Sequence, residues 1–287
     1  MSNERDAIRV VDPGQVSDGP PAGFFRREID LPVRQEVLHV AFDVPDRPLR
    51  LAEAAPLVWA IDDRVMAVHL RHAREQDREV FCRKGCWACC ERFLIVLSPA
   101  EMYAIHELID TFEPERKQRV ETWFDEKFEQ ARRTGLVDHL RSLPAGTDPL
   151  DVIEQWWRDQ PDTECVFLDR EEGSCSIYPY RFIACREYCS MLPPSYCARR
   201  ATARLAIPLN LINVLWQLEQ RLTGEPTGAV SLPFLAMWVG LRAEQALRTW
   251  PAREMINALL AILADTAAAA QHLTTGTVVA RDSEGQP

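Results

Sequence analysis

The chain has 287 residues, 47% of them hydrophobic and 26% charged, so it can bury a full core as one large domain or two small ones and needs no metal merely to compensate for smallness. A formal charge of −10 and a pI near 5.2 disfavour a general attraction to nucleic acid or to an anionic membrane. The richest apolar segments, 51–70 and 256–270, are interrupted by Glu53, Asp62, Asp63, Arg64 and Asp265, so neither is expected to span a membrane. The acid-bearing N-terminus MSNERDAIRVVDPGQ lacks the apolar run of a secretory signal, and a cytoplasmic setting is expected.

In chain order, residues 1–22 are rich in Asp, Gly and Pro and read as a flexible lead. Residues 23–273 are expected to form a single metal-binding domain with a cysteine core over 82–197 and C-terminal helices over 205–273, and 274–287 a disordered tail. Partial period-two alternation in 24–44 predicts a small hairpin or edge pair. Leu57, Ile61, Val65, Val68 and Leu70 fall at helical spacing and predict a helix over 51–78 that delivers the first cysteines. Ser98-Pro99-Ala100-Glu101 is a capping box with proline at the first helical position, so a helix opens there. A second helix is expected over 114–133, stopping at Gly135, and a third from Asp148-Pro149 that buries Leu150, Ile153 and Trp157. Residues 165–167 and 174–178 read as two strands around a turn over 169–173, a hairpin with a cysteine in each strand. Helices are predicted again over 209–222, 233–249 and 251–272. The fold class is therefore mainly α (α+β), a helical bundle around a cysteine-rich metal centre with a small β-hairpin.

All nine cysteines lie between positions 82 and 197. A reducing compartment leaves such thiols free for metals or catalysis rather than disulfides. The first group, Cys82-Arg83-Lys84-Gly85-Cys86-Trp87-Ala88-Cys89-Cys90, packs four sulfurs into short loops that curl them toward one centre. The charged neighbours Arg83, Lys84, Glu91 and Arg92 make this a poor core segment. Adjacent side chains diverge, so Cys89 and Cys90 are expected to serve different metals or different irons of one cluster. Cys165, Cys175, Cys185 and Cys189 form the second group, with Cys197 the expected spare. Eight thiolates suit two four-thiolate sites or one polynuclear centre.

The first group resembles the signature of the YkgJ-like proteins, zinc- or iron-chelating domains with spaced cysteines followed by Cys-Cys. The second block, with Cys165-Val166-Phe167-Leu168, Cys175-Ser176-Ile177-Tyr178, Arg181 and Cys185-Arg186, is similar to that family's later elements. Phe182 stands where the family usually has proline, a departure that bears on the local turn. The resemblance covers 82–189 and implies a metal or iron–sulfur centre. Some relatives methylate flagellin lysines, which implies S-adenosylmethionine, yet no Gly-rich strand-to-helix loop is found here. Cys82-x-x-x-Cys86-x-x-Cys89 also has radical S-adenosylmethionine spacing, but the chain lacks the strand-helix alternation of the barrel such enzymes need.

The expected metal ligands are thus Cys82, Cys86, Cys89, Cys90, Cys165, Cys175, Cys185 and Cys189. Tyr178, Arg181 and Arg186 are expected beside them, the arginines balancing thiolate charge. The adjacent pair favours an iron–sulfur cluster, [4Fe–4S] first, or iron, with zinc the alternative. His69 and His72 share a helix face but read as exposed residues, and Arg199, Arg200 and Arg204 as solvated surface. Asp62-Asp63 read as solvated too, and Trp156-Trp157 as packing. No catalytic constellation beyond the thiols is legible. A protein, peptide or small-molecule substrate is expected at the metal, with no nucleic acid and no membrane as partner; metal delivery without catalysis is the alternative.

Overall fold

The computed structural model describes residues 7–11, 19–144, 147–197, 203–225, 228 and 230–275. The fold is mainly α with small antiparallel sheets, in agreement with the sequence. Strands β1 (Arg9–Val11), β2 (Phe24–Val33) and β3 (Glu36–Pro45) form a sheet in the order β1-β3-β2. β2 and β3 run in full register from Phe24 opposite Pro45 to Val33 opposite Glu36, a longer hairpin than the partial alternation suggested. Its two-residue loop places Arg34 at φ 57°, the left-handed conformation that tight hairpins require. The Arg34 side chain then donates to His69 Nδ1 at 2.9 Å and to the Ala206 carbonyl at 3.0 Å. Arg9–Val11 pairs with β3 and so corrects part of the expected flexible lead; residues 1–6 and 12–18 lie outside the described residues.

After β4 (Leu49–Arg50) and a 3-10 turn over Leu51–Ala54, α1 (Ala55–Glu75) presents Leu57, Val58, Ile61, Val65 and Val68 to the core. It touches the sheet and the helices that follow. β5 (Val96–Leu97) leads into α2 (Pro99–Ile109), where Ser98 and Glu101 form the anticipated capping box. Next come α3 (Pro114–Arg133), α4 (Leu136–Ser142) and α5 (Leu150–Asp159). Ala131, Leu136, Ile153, Trp156, Trp157 and Phe234 make a second small core. Both tryptophans are buried there, whereas Leu150 is only half-buried. The short α4 was not legible in the sequence.

The hairpin β6 (Leu168–Asp169) and β7 (Ser174–Cys175) is shorter than expected, and Cys165 precedes it rather than lying in a strand. Then follow α6 (Ile183–Glu187), α7 (Pro194–Cys197) and α8 (Val214–Thr223). β8 (Val230–Ser231) pairs with β5. The helix expected over 233–249 is instead a 3-10 turn, α9 (Leu235–Leu241) and α10 (Ala243–Leu247), broken at Arg242 with φ −121°. β9 (Thr249–Trp250) pairs with β4, and α11 (Ala252–Thr275) packs on α8 and β2. The C-terminal helices thus close over the N-terminal hairpin and hold α1 and α2, from which the cysteine loops hang. Most of the tail expected to be disordered, 276–287, lies outside the described residues. Among the described residues no helix is long and apolar enough to cross a membrane.

Candidate metal centre

The first cysteine group leaves α1 as a string of tight turns. Cys86 N–H donates to the Arg83 carbonyl at 2.9 Å and Cys90 N–H to the Trp87 carbonyl at 2.9 Å. Gly85 has φ 89°, a conformation that a side chain would strain. Both ends of the string are fastened to the second block. At one end Phe81 N–H donates to the Ser190 carbonyl at 2.9 Å, and Ser190 N–H donates to Cys82 Sγ at 3.1 Å. At the other, Cys165 N–H donates to the Cys90 carbonyl at 2.7 Å, and Thr163 Oγ1 to the Glu91 carbonyl at 2.6 Å. The helical insertion α2–α5 therefore returns the chain to its starting point, which joins two blocks far apart in sequence.

The second block is positioned by paired backbone and two buried side chains. Leu168 faces Cys175 across the hairpin, and Ser176 N–H donates to the Phe167 carbonyl at 2.8 Å. Phe182 is buried against Phe167, with ring centroids 6.4 Å apart. Its φ of −61° is the value a proline ring would impose, so the backbone here is one that proline could also adopt. Glu101 accepts from Ile183 N–H at 2.8 Å and from Trp59 Nε1 at 3.1 Å, which anchors the start of α6 and hence Cys185.

These fastenings converge on a cavity of about 70 Å³ whose wall includes Cys82, Cys86, Cys89, Cys90, Cys165, Cys175 and Cys185, together with Tyr178, Arg181 and Tyr188. Cys189 is buried just behind it, packed with Cys82, Met66, Ala73 and Leu205. All nine thiols are free. Among the described residues no three Cys, His, Asp or Glu side chains already form a metal-holding group, so ligation has to draw the sulfurs together. Burial pushes the Cys82 thiol up to about 11 and Cys189 to about 12, with neighbouring thiols adding to the rise. Cys165 and Cys185 are driven well above the ordinary range by burial. Cys89 is raised chiefly by its hydrogen bond with Cys90 and then by burial. Such thiols stay protonated unless a cation compensates the charge, and metal binding supplies that compensation.

Arg181 lies on the cavity wall with its guanidinium 4.3 Å from the centroid of the Tyr178 ring. Its Nε is buried without a hydrogen-bond partner, and its charge lowers the thiol pKa values of Cys175, Cys185 and Cys189. Arg186, expected beside the sulfurs, is not among the residues lining the cavity. It is 3% exposed and donates to the carbonyls of Arg181 at 2.8 Å and Pro179 at 2.6 Å, and to Asp63. It clamps the loop to α1.

His69 and Asp62, read as exposed, are both fully buried on α1. Burial and the Arg34 guanidinium depress His69 to about 4; its Nε2 lies 3.2 Å from the Leu209 carbonyl. Burial, then the charge of Glu187, raises the Asp62 carboxyl. His72 is half-buried beside Gln76 and belongs to the helix end. Sequence reading also missed a larger cavity of about 390 Å³ that shares Cys89, Cys90, Cys185 and Tyr188 with the thiol cavity. Phe93 and Ile212 give it apolar walls, Asp151 and Glu154 stand on it, and so does Arg204, whose guanidinium lies 4.4 Å from the centroid of the Tyr188 ring. Phe93 and Tyr188 pack with ring centroids 4.9 Å apart and planes tilted by 53°, a pairing across 95 residues that no local pattern announces. Arg199 and Arg200 lie outside the described residues.

Residues 81–203, which include every cysteine, match the model of the CxxCxxCC family, whose description is "Putative zinc- or iron-chelating domain". Over that stretch, somewhat less than half of the chain, the sequence is similar to the YkgJ-like CxxCxxCC domain. The chain has three residues between its first two cysteines, where the family's name has two. No curated protein and no solved structure matches the chain. Clustered cysteines and the likeness to a zinc- or iron-chelating domain together support metal binding. The donor set fits zinc or iron: soft thiolates from several loops around a small cavity, with an unpaired guanidinium nitrogen to meet their charge.

Proposed function

We propose that the thiol cavity holds an iron–sulfur cluster, [4Fe–4S] in preference to iron alone or zinc, as the working centre of a cytoplasmic enzyme that modifies a peptide or an amine. The observation that carries this reading is the cavity itself, because seven cysteines share one wall around about 70 Å³. A single tetrahedral ion takes four thiolates, whereas a cluster offers ligand directions at several corners and can accept adjacent residues such as Cys89 and Cys90. Arg181 supports it further, since an unpaired buried Nε beside sulfurs is suited to donate to a thiolate or sulfide. When bound, such a cluster supplies one-electron chemistry. The adjoining 390 Å³ cavity is large enough for a small molecule or a side chain and brings it against the sulfurs of Cys89, Cys90 and Cys185.

The chain's own residues hold and orient. Glu101 fixes α6, Arg186 pins the loop that ends at Cys189, and Phe93 with Tyr188 forms an apolar wall beside the sulfurs. The free state of all nine cysteines suits a reducing compartment. Protein purified anaerobically and assayed for iron and acid-labile sulfide tests the reading. Substitution of Cys175 or Cys185 by Ser is expected to remove the visible absorption while the helical far-UV signal persists.

A further inference from the structure

The cavity of about 390 Å³ beside the sulfurs is graded from floor to rim. Cys90, Ile95, Cys185 and Ile212 line it and also pack against the main core, so they form its floor. Asp148, Asp151, Glu154 and Arg204 line it too, but all four are exposed and stand at the rim. Two of the four are already engaged: Asp148 Oδ1 accepts from Leu150 N–H at 2.9 Å, and Glu154 pairs with Arg158. Among the described residues, neither Asp151 nor Arg204 has a partner of opposite charge. Both are nevertheless held in place. Ile153, Trp156 and Trp157 seat α5, and with it Asp151, in the second small core. Arg204 is fixed by its backbone bridge to Ser190 and by the Tyr188 ring, whose centroid lies 4.4 Å from its guanidinium. Two unmatched charges of opposite sign, carried on separate elements, thus stand over one apolar cavity.

Resting on the reading that this cavity receives the substrate, we propose that its occupant is a free α-amino acid with an extended apolar side chain. The carboxylate meets Arg204, the ammonium meets Asp151, and the side chain runs down to Cys90 and Cys185. Each part of such a molecule answers one part of the wall. A guanidinium takes a carboxylate through a fork of N–H donors, and a free carboxylate takes an ammonium. The apolar chain gains by leaving water for the surfaces of Phe93, Ile95 and Ile212. A simple amine leaves Arg204 unmatched, a fatty acid leaves Asp151 unmatched, and a residue inside a peptide chain brings neither backbone charge. Because the charges stand at the rim and the sulfurs at the floor, the centre meets the side chain of the amino acid and not its ammonium.

The test is isothermal titration calorimetry of the full chain as isolated, its metal counted in parallel, with L-norleucine, n-pentylamine and hexanoate. The last two keep the carbon chain of norleucine and lack its carboxylate or its ammonium. Norleucine is expected to bind, and each truncated ligand to bind about tenfold more weakly, the loss of one charge-assisted contact. Arg204→Met is expected to bring norleucine down to the affinity of pentylamine and to leave pentylamine unchanged. Asp151→Asn is expected to bring norleucine down to the affinity of hexanoate and to leave hexanoate unchanged. Should either variant fail to fold by circular dichroism, the three ligands on the wild-type chain decide. Pentylamine or hexanoate that binds as tightly as norleucine overturns the proposal, as does a folded variant that weakens all three ligands alike. Metal-bearing protein that takes up no norleucine at millimolar concentration overturns it too, while the metal centre stands. Protein that binds norleucine but holds no metal contradicts the iron–sulfur reading alone, and protein that holds neither overturns both.

Discussion

Glu101 accepts a hydrogen bond from the backbone N–H of Ile183 at 2.8 Å, so the carboxylate that caps α2 also anchors the helix that carries Cys185. The same group receives Ser98 N–H and Oγ, each at 3.0 Å, and Trp59 Nε1 at 3.1 Å. It is 2% exposed, and with four donors around it the burial of its charge is compensated. The cap ties α1, α2 and the metal loop into one unit.

Glu101→Ala leaves those donors unpaired in the interior and is expected to cost roughly 3 kcal/mol or more. Denaturant unfolding checks the loss. Metal content per folded molecule is expected to fall with it, since α6 loses its anchor.

Arg186 has three buried donor sites engaged, on the Arg181 and Pro179 carbonyls and on Asp63. Arg186→Ala is expected to destabilise by about 3 kcal/mol, because it leaves the Arg181 and Pro179 carbonyls without their charged donor and empties a buried site. Arg186→Lys is expected to rescue little, because an ammonium cannot reproduce the planar fork. Thermal melts of the two variants compare them directly.

Gly85 adopts φ 89°, and no neighbouring atom lies within 4 Å of an added Cβ. The cost of Gly85→Ala is therefore conformational, about 1–2 kcal/mol. Because the strain falls on the turn between Cys82 and Cys86, weaker metal retention is expected in a chelator competition, with global stability changed by no more than that amount.

Among the buried titratable groups, Glu219 and His69 pull the pH dependence in opposite directions. Burial raises Glu219 from 4.5 to about 7, against the pull of Arg242, so the folded state binds more protons and stability falls as pH rises between those values. Burial lowers His69 from 6.5 to about 4, so the unfolded state binds more protons and stability is lost as pH drops through that range. Each effect is worth up to roughly 3 kcal/mol, and the two oppose each other near pH 5–6, while the buried Asp62 and Glu187 carboxyls, also raised by burial, add to the loss as pH rises. Glu219→Gln is expected to expose the acid sensitivity due to His69, and His69→Gln the alkaline loss due to Glu219. Unfolding curves from pH 4 to 8 separate them.

The elements that carry their own punctuation were legible in the sequence. Ser98 with Glu101, and Pro114 with Gly135, bracket their helices in agreement with the structure. Where tertiary contact decides, pattern failed. Asp62 and His69 lie on the apolar face of α1, yet polarity suggested solvent; the groups that cover them, Arg186, Glu187, Arg34 and the Leu209 carbonyl, come from distant segments. The break at Arg242 was invisible because the apolar spacing continues across it, while Arg242 turns to pair with buried Glu219. At the site, spacing identified the thiols but not their neighbours. Tyr188 became part of a cavity wall only once the chain had returned from α5.

The most direct test of the central claim is elemental analysis with absorption and EPR spectra of anaerobically isolated protein. Iron and acid-labile sulfide in comparable amounts, a brown colour and an EPR signal on reduction are expected. Colourless, EPR-silent protein that contains zinc alone would contradict an iron–sulfur centre.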